Sequence, residues 1–181
     1  AIGMALRGMR PIVEIMFGDF LTLCMDQIVN HATKYHWMFN EQVTIPLVIR
    51  TPMGGGRGYG PTHSQSIESI LMSVPCIYIC APSIYHDPGI QLEKCVNYEH
   101  PVLFVENKVS YPEKIHLEIN GPSSYLKRTV ISSGSINETV LISLFPNEDA
   151  DFVIITYGGM AQLAVEAAID FPEEEIDFLS D

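Results

Sequence analysis

Apolar residues fall along this chain in short runs separated by amphipathic stretches, and that alternation is the first guide to its fold. Arg10-Pro-Ile-Val-Glu-Ile-Met16, Ile45-Pro-Leu-Val-Ile49, Ile77-Tyr-Ile-Cys80 and Pro101-Val-Leu-Phe-Val105 are four brief, largely apolar runs. Runs of this length bounded by turn residues read as strands of a buried sheet. Between them the spacing predicts helices. Ala1–Leu6 is one, stopped by Gly8. A long one runs from Phe20 to about Met38, on Phe20, Leu21, Leu23, Cys24, Ile28, Ala32 and Tyr35. A short one covers 65–73, and a fourth covers Tyr85–Asn97 with Asp87 and Pro88 at its start. Strands alternating with helices at these intervals predict an α/β fold, a mostly parallel sheet with helices on both faces.

After residue 106 the rhythm breaks. Pro112, Gly121, Pro122, Ser123, Ser124, Gly134 and Pro146 interrupt any periodicity, and only Thr139–Ser143 reads as a clear strand. Residues 107–149 are therefore expected to be a linker. Asp151–Thr156, the Gly158-Gly159 pair and Met160–Asp170 then restart a strand, a turn and a helix. The expected organisation is a first domain over 1–106 lacking its N-terminal part, the linker, and the truncated start of a second α/β domain over 150–181. The uncapped first residues and the strand-like Glu175–Leu179 run make a piece of a longer protein the expectation.

With 181 residues, 47% of them hydrophobic, the chain can bury a sizeable core. A formal net charge of −12 argues against nucleic acid and against an anionic membrane surface as partners. No uncharged apolar run has the length of a membrane span, no secretory leader is visible, and a cytoplasmic location is expected. Cys24, Cys76, Cys80 and Cys95 lack C-x-x-C spacing and read as buried free thiols. His31, His36, His86, His100 and His116 show no ligand spacing, so no metal site is nominated.

The most informative stretch is Thr51-Pro-Met-Gly-Gly-Gly-Arg-Gly-Tyr-Gly-Pro-Thr-His-Ser-Gln-Ser-Ile-Glu68, which holds five of the thirteen glycines. A strand feeding a glycine-rich loop that ends in polar residues before a helix is a common way for an α/β sheet to meet a ligand. It is not a P-loop, because no Gly-Lys-Ser/Thr closes it. Ser64 and Gln65 are candidates for a helix cap and a loop-fixing hydrogen bond. Arg50 and Arg57 either pair with carboxylates at a subunit contact or lie solvated on the surface.

Taken together, Arg10–Met16, Asp19-Phe20, Asp26-Gln-Ile-Val-Asn30, Ile49-Arg-Thr-Pro52, Gly60-Pro-Thr-His-Ser-Gln65, Pro101–Glu106 and Ala150–Gly158 resemble one known family. It is the beta subunit of the thiamine-diphosphate-dependent decarboxylating component of 2-oxo acid dehydrogenase complexes. The resemblance implies a transketolase-like pyrimidine-binding domain that holds the aminopyrimidine of thiamine diphosphate, while an alpha subunit holds Mg²⁺ and the diphosphate. It also implies a second beta subunit, a lipoyl acyltransferase component as partner, and oxidative decarboxylation with acyl transfer to lipoamide.

Residue by residue, the resemblance makes Phe20 the ring that stacks on the aminopyrimidine and His63 the active-site histidine. Without it, Phe20 reads as a core residue and His63 as a loop histidine. Asp26, Gln27 and Asn30 lie on or near one helix face, and the resemblance implies that this helix packs at a subunit interface. Two departures qualify the match. The family's glutamate that hydrogen-bonds the pyrimidine nitrogen falls upstream of Ala1, which implies that this chain by itself is inactive. Tyr98 stands where relatives often carry an acid in a loop that binds a monovalent cation, which puts a potassium site in doubt and leaves backbone carbonyls as its remaining source of ligands. The competing readings are a non-catalytic assembly domain and a fragment of a transketolase or deoxyxylulose-phosphate synthase.

Overall fold

The structure is a computed structural model, and it describes residues 1–119, 126–144, 150 and 152–170. Its centre is a parallel sheet of four strands, β1 (Ile12–Glu14), β2 (Val48–Met53), β3 (Tyr78–Cys80) and β4 (Val102–Asn107), in the spatial order β1-β2-β4-β3. Val48 is in register with both Ile12 and Val102, and Tyr78 also meets Val102. All four expected strands are present, and the α/β prediction holds. β2 lies later than the apolar run implied: Ile45 and Leu47 are buried ahead of it, and Thr51, Pro52 and Met53 belong to the strand.

Alternation along the two central strands divides the core. Leu103 and Val105 of β4, with Ile49 and Met53 of β2, pack against Ala5, Leu21, Ile28, Ala32, Ile67 and Leu71 on one face. Val102 and Phe104 of β4, with Val48 of β2, pack against Cys80, Cys95 and Ile136 on the other. This is the period-2 rule of a strand buried on both sides. Each such side chain contributes about 1.5–3 kcal/mol on burial, so the central strands are the anchor of the fold.

Four short α-helices surround the sheet: α1 (Ile2–Ala5), α2 (Tyr35–Met38), α3 (Glu68–Met72) and α4 (Pro88–Val96). The Asp87 carboxylate caps α4 by accepting from the Gly89 and Ile90 amides, as the Asp-Pro pair predicts. The long helix expected from Phe20 to Met38 is instead broken into a 3-10 segment at Gly18–Cys24, a π-helical segment at Gln27–Ala32, and α2. Two hydroxyls explain part of the irregularity. Thr22 donates to the Asp19 carbonyl at 2.9 Å and Thr33 to the Val29 carbonyl at 2.9 Å, competing with the regular ladder.

Within the segment expected as a linker, Leu126–Ser133 (β5) and Glu138–Leu144 (β6) form an antiparallel hairpin. The hairpin docks on the main sheet: Ile136 enters the core, and the Asn137 amide donates to the Ile79 carbonyl at 3.4 Å. Its first strand was not foreseen, because Leu126–Ser133 mixes Lys, Arg, Thr and Ser with its apolar residues. Farther on, α5 (Met160–Asp170) forms where the sequence predicts a helix, but 152–157 form no strand. A strand needs a hydrogen-bonded neighbour, and among the described residues none lies alongside. Asp151 and the Glu175–Leu179 run lie outside the described residues.

Candidate functional site

Three parallel strands end at the same edge of the sheet, and each delivers side chains to one cluster. This carboxyl edge is where open α/β sheets present groups to ligands. β1 runs on to Phe17 and Phe20, β2 feeds the glycine loop carrying Arg57, Tyr59 and His63, and Lys108 follows directly on β4.

Aromatic contacts define the cluster. The His63 ring centre lies 4.8 Å from Phe17 and 5.3 Å from Phe20, both edge-to-face. Phe17 also meets Phe20 at 5.8 Å and Tyr59 at 5.6 Å. His63, Phe17 and Phe20 are all half-buried, so each keeps accessible surface beside the others. The imidazole is further fixed by Thr62, whose Oγ1 is 2.9 Å from Nδ1.

Backbone geometry makes the approach possible. Gly54, Gly56, Gly58 and Gly60 all have φ near +75° to +90°, the left-handed region open to glycine, which lets the loop fold back on itself. The Arg57 guanidinium spans the fold: Nη2 donates to the Gly54 carbonyl at 3.1 Å and to the His63 carbonyl at 3.2 Å. Its carbon lies 5.6 Å and 5.3 Å from the Phe17 and Tyr59 ring centres. Nε and Nη1 are buried without a hydrogen-bond acceptor. The two π faces take the charge instead.

A second tie joins the loop to the β1 segment. The buried Asp19 carboxylate accepts from the Gln65 side-chain amide at 2.7 Å and from its backbone N–H at 3.4 Å. Gln65 thus has the loop-fixing role that the sequence offered it. Ser64 is not a cap: α3 begins four residues later, behind Ile67, with no side-chain capping bond. Arg50 bonds to Glu106 at 2.6 Å and Glu14 at 3.1 Å, so it bridges three strands within the chain rather than waiting for a partner subunit. The Glu106 bond is the main cause raising its pKa further above the ordinary arginine value.

Of the residues singled out from sequence, His63 and Phe20 come together. Asp26, Gln27 and Asn30 form an exposed set of their own: Asn30 and Gln27 donate to Asp26 at 2.8 Å and 3.3 Å, and Lys34 donates to Asn30 at 3.0 Å. Phe17, Asp19, Tyr59 and Lys108 were not nominated as site residues. Phe17 and Tyr59 carried a signal, since each is an aromatic next to glycine in the segment that follows a strand. Lys108 carried none. Among the described residues, no three His, Cys, Asp or Glu side chains converge to hold a metal ion.

Residues 1–114 match the protein family described as "Transketolase, pyrimidine binding domain". The chain belongs to this family. The chain is similar to the acetoin:2,6-dichlorophenolindophenol oxidoreductase subunit beta of Cupriavidus necator, at 34% identity over 98% of this chain and 48% of the relative. It is 35% identical to the 2-oxoisovalerate dehydrogenase subunit beta of Bacillus subtilis, over 92% of this chain and 47% of the relative. A pyruvate dehydrogenase E1 component subunit beta-1, mitochondrial, of Arabidopsis thaliana is 29% identical over 97% and 46%. The chain therefore spans about half the length of the curated relatives it matches. Among the described residues no helix is long and apolar enough to cross a membrane.

Proposed function

We propose that the full-length protein is the beta subunit of a thiamine-diphosphate-dependent 2-oxo acid dehydrogenase component, acting in oxidative decarboxylation with acyl transfer to lipoamide. One observation carries the reading: in a member of the pyrimidine-binding family, a half-buried imidazole sits against two phenylalanine rings at the carboxyl edge of the parallel sheet. The partners in this reading are an alpha subunit, a second beta subunit and a lipoyl acyltransferase component.

The residues present fit a flat heterocycle. Phe20 offers an accessible ring for stacking, and the loop closed by Arg57 and Gln65 holds its neighbour His63 in place. When bound, thiamine diphosphate supplies the electron sink for decarboxylation. The chain's own contribution is to bind and orient. Phe20 stacks against the aminopyrimidine. His63 donates or accepts a proton at Nε2 toward the substrate side, while Nδ1 stays with Thr62. Mg²⁺ and the diphosphate fall to the alpha subunit.

Two contacts within the Cys95–His100 loop argue against a monovalent cation there. The carbonyls of Val96 and Tyr98 both accept from Arg10 Nη1, at 2.9 Å and 3.1 Å, and Tyr98 brings no carboxylate. No potassium is assigned a place. Asp26, Gln27 and Asn30 are proposed as a subunit contact, supported by their exposure beside a shallow depression lined by Ile2, Leu6, Gln27, His31 and Tyr35.

The test is co-expression of the full-length chain with its alpha subunit, assayed for decarboxylation of pyruvate and branched-chain 2-oxo acids with thiamine diphosphate and Mg²⁺. Turnover is expected for wild type. In His63→Ala, acyl transfer to lipoamide is expected to vanish while cofactor binding persists. Full acyl transfer by the variant refutes the role of His63.

A further inference from the structure

Two cations stand against the aromatic pair that borders His63, and they are not equivalent. Arg57 is committed to the loop: its Nη2 is spent on the carbonyls of Gly54 and His63, and its remaining nitrogens are sealed from solvent. Lys108 has no such commitment. Its ammonium lies 5.6 Å from the Phe17 ring centre and 5.9 Å from that of Tyr59. Among the described residues no carboxylate pairs with it. The nearby buried acid, Asp19, is already engaged by Gln65.

Placement adds to the argument. Lys108 is the first residue after β4, at the strand edge that also carries His63, and the Phe17 ring touches both, 4.8 Å from the imidazole. An ammonium resting on two π faces has shed part of its water. An anion meeting it there gains more than it would in bulk solvent. The chain as a whole carries a net charge of −12, so a small anion approaching the site needs a local positive group to overcome that field.

We propose that Lys108 binds the carboxylate of the substrate and so fits this site to 2-oxo acids rather than to neutral ketones. The assignment rests on the proposed function and names the group that reads the substrate's charge. Phe17 and Tyr59 hold the lysine stem and ammonium in position. Arg57, packed on the same rings, keeps the loop shaped around His63.

The test uses the full-length protein assembled with its alpha subunit, thiamine diphosphate and Mg²⁺. Wild type, K108M and K108R are compared in turnover of the preferred 2-oxo acid and in calorimetric binding of that acid and of its methyl ester. The ester keeps the ketone, removes the charge and, with no carboxylate to lose as carbon dioxide, serves as a binding probe only. The methionine preserves an apolar stem over the rings without the charge, and the arginine restores a cation. For K108M, KM for the acid is expected to rise about tenfold or more, matching a charge-assisted hydrogen bond. The preference in binding for acid over ester should fall by the same factor and return in K108R. An acid-to-ester binding preference unchanged within twofold in K108M overturns the assignment. A wild-type assembly that does not turn over the acid defeats the proposed function itself. Calorimetric titration of that assembly with the 2-oxo acid then still decides the lysine: binding weakened about tenfold in K108M supports it, and equal binding overturns it.

Discussion

At Gly18 the chain turns from β1 into the segment carrying Asp19 and Phe20, and a side chain there would overlap Cγ of Met53 on β2. The close approach brings Phe17 and Phe20 up to the loop that carries His63. Gly18→Ala is expected to lower stability by about 1–3 kcal/mol, read as a shift in the denaturant midpoint. An unchanged midpoint would show that Met53 moves aside freely. A second prediction concerns Glu99, whose carboxylate accepts from Arg10, a contact that holds its pKa below the ordinary glutamate value. The pair stabilises the fold above that ordinary value, and the contribution is lost as pH falls through the lowered one. In an NMR titration the midpoint of Glu99 should rise toward the ordinary value in Arg10→Met and in high salt, since the pair is exposed. An unmoved midpoint contradicts the pairing. At this scale the sequence was readable where a residue type is chemically distinctive, as with His63 and the glycines around it. Lys108 and the Asp19–Gln65 tie were not, because they join segments far apart in the chain, and nothing local marks such a contact.

The elements divide by how local their causes are. The four strands of the main sheet and α4 follow from apolar runs and the Asp-Pro cap, and the sequence shows both. The expected helix from Phe20 to Met38 is divided into three segments, and part of the irregularity lies in Thr22 and Thr33 bonding back to carbonyls, which a count of apolar spacing overlooks. Thr139–Ser143 was expected as a strand and lies within β6, but β5, and with it the hairpin, escaped notice because contacts outside the hairpin secure its place. His86 is one such contact. Its Nδ1 accepts from the Ser83 amide at 3.2 Å, so that nitrogen carries no proton, and Nε2–H donates to the Glu138 carbonyl of β6 at 3.0 Å. Burial is the main cause lowering the His86 pKa. A base with a lowered folded pKa contributes stability in full above its ordinary value, near 6.5, and loses it as pH falls through the folded one. Amide exchange in β6 should therefore accelerate, relative to β4, between pH 7.5 and pH 5 after correction for intrinsic rates. Equal protection of β6 at both values would remove His86 from the docking of the hairpin. Another tie joins the later segment to the first: the Tyr157 hydroxyl donates to the buried Glu68 carboxylate at 2.8 Å. Removing it in Tyr157→Phe leaves a buried acceptor unmet and should cost about 1–3 kcal/mol. A variant as stable as wild type would show the bond to be dispensable.

Taken whole, the chain is a pyrimidine-binding domain with a docked hairpin and a helix beyond it, about half the length of its curated relatives. That family membership was legible because several motifs keep their order and spacing along the sequence. The partition into domains was less so, since the segment taken as a connection carries a hairpin packed on the first domain. The exposed Asp26, Gln27 and Asn30 set belongs to this scale as well. Asp26→Arg should weaken association with a partner subunit without unfolding the domain, visible as a lower sedimentation coefficient at unchanged circular dichroism. An unchanged assembly would place the contact elsewhere. The central claim is that the Phe20–His63 edge receives the aminopyrimidine of thiamine diphosphate. Its most direct test is an experimental structure of the full-length protein with its alpha subunit and the cofactor. The account predicts the aminopyrimidine stacked on Phe20 with His63 beside the same cavity; a heterocycle bound away from the Phe17, Phe20 and His63 cluster would contradict it.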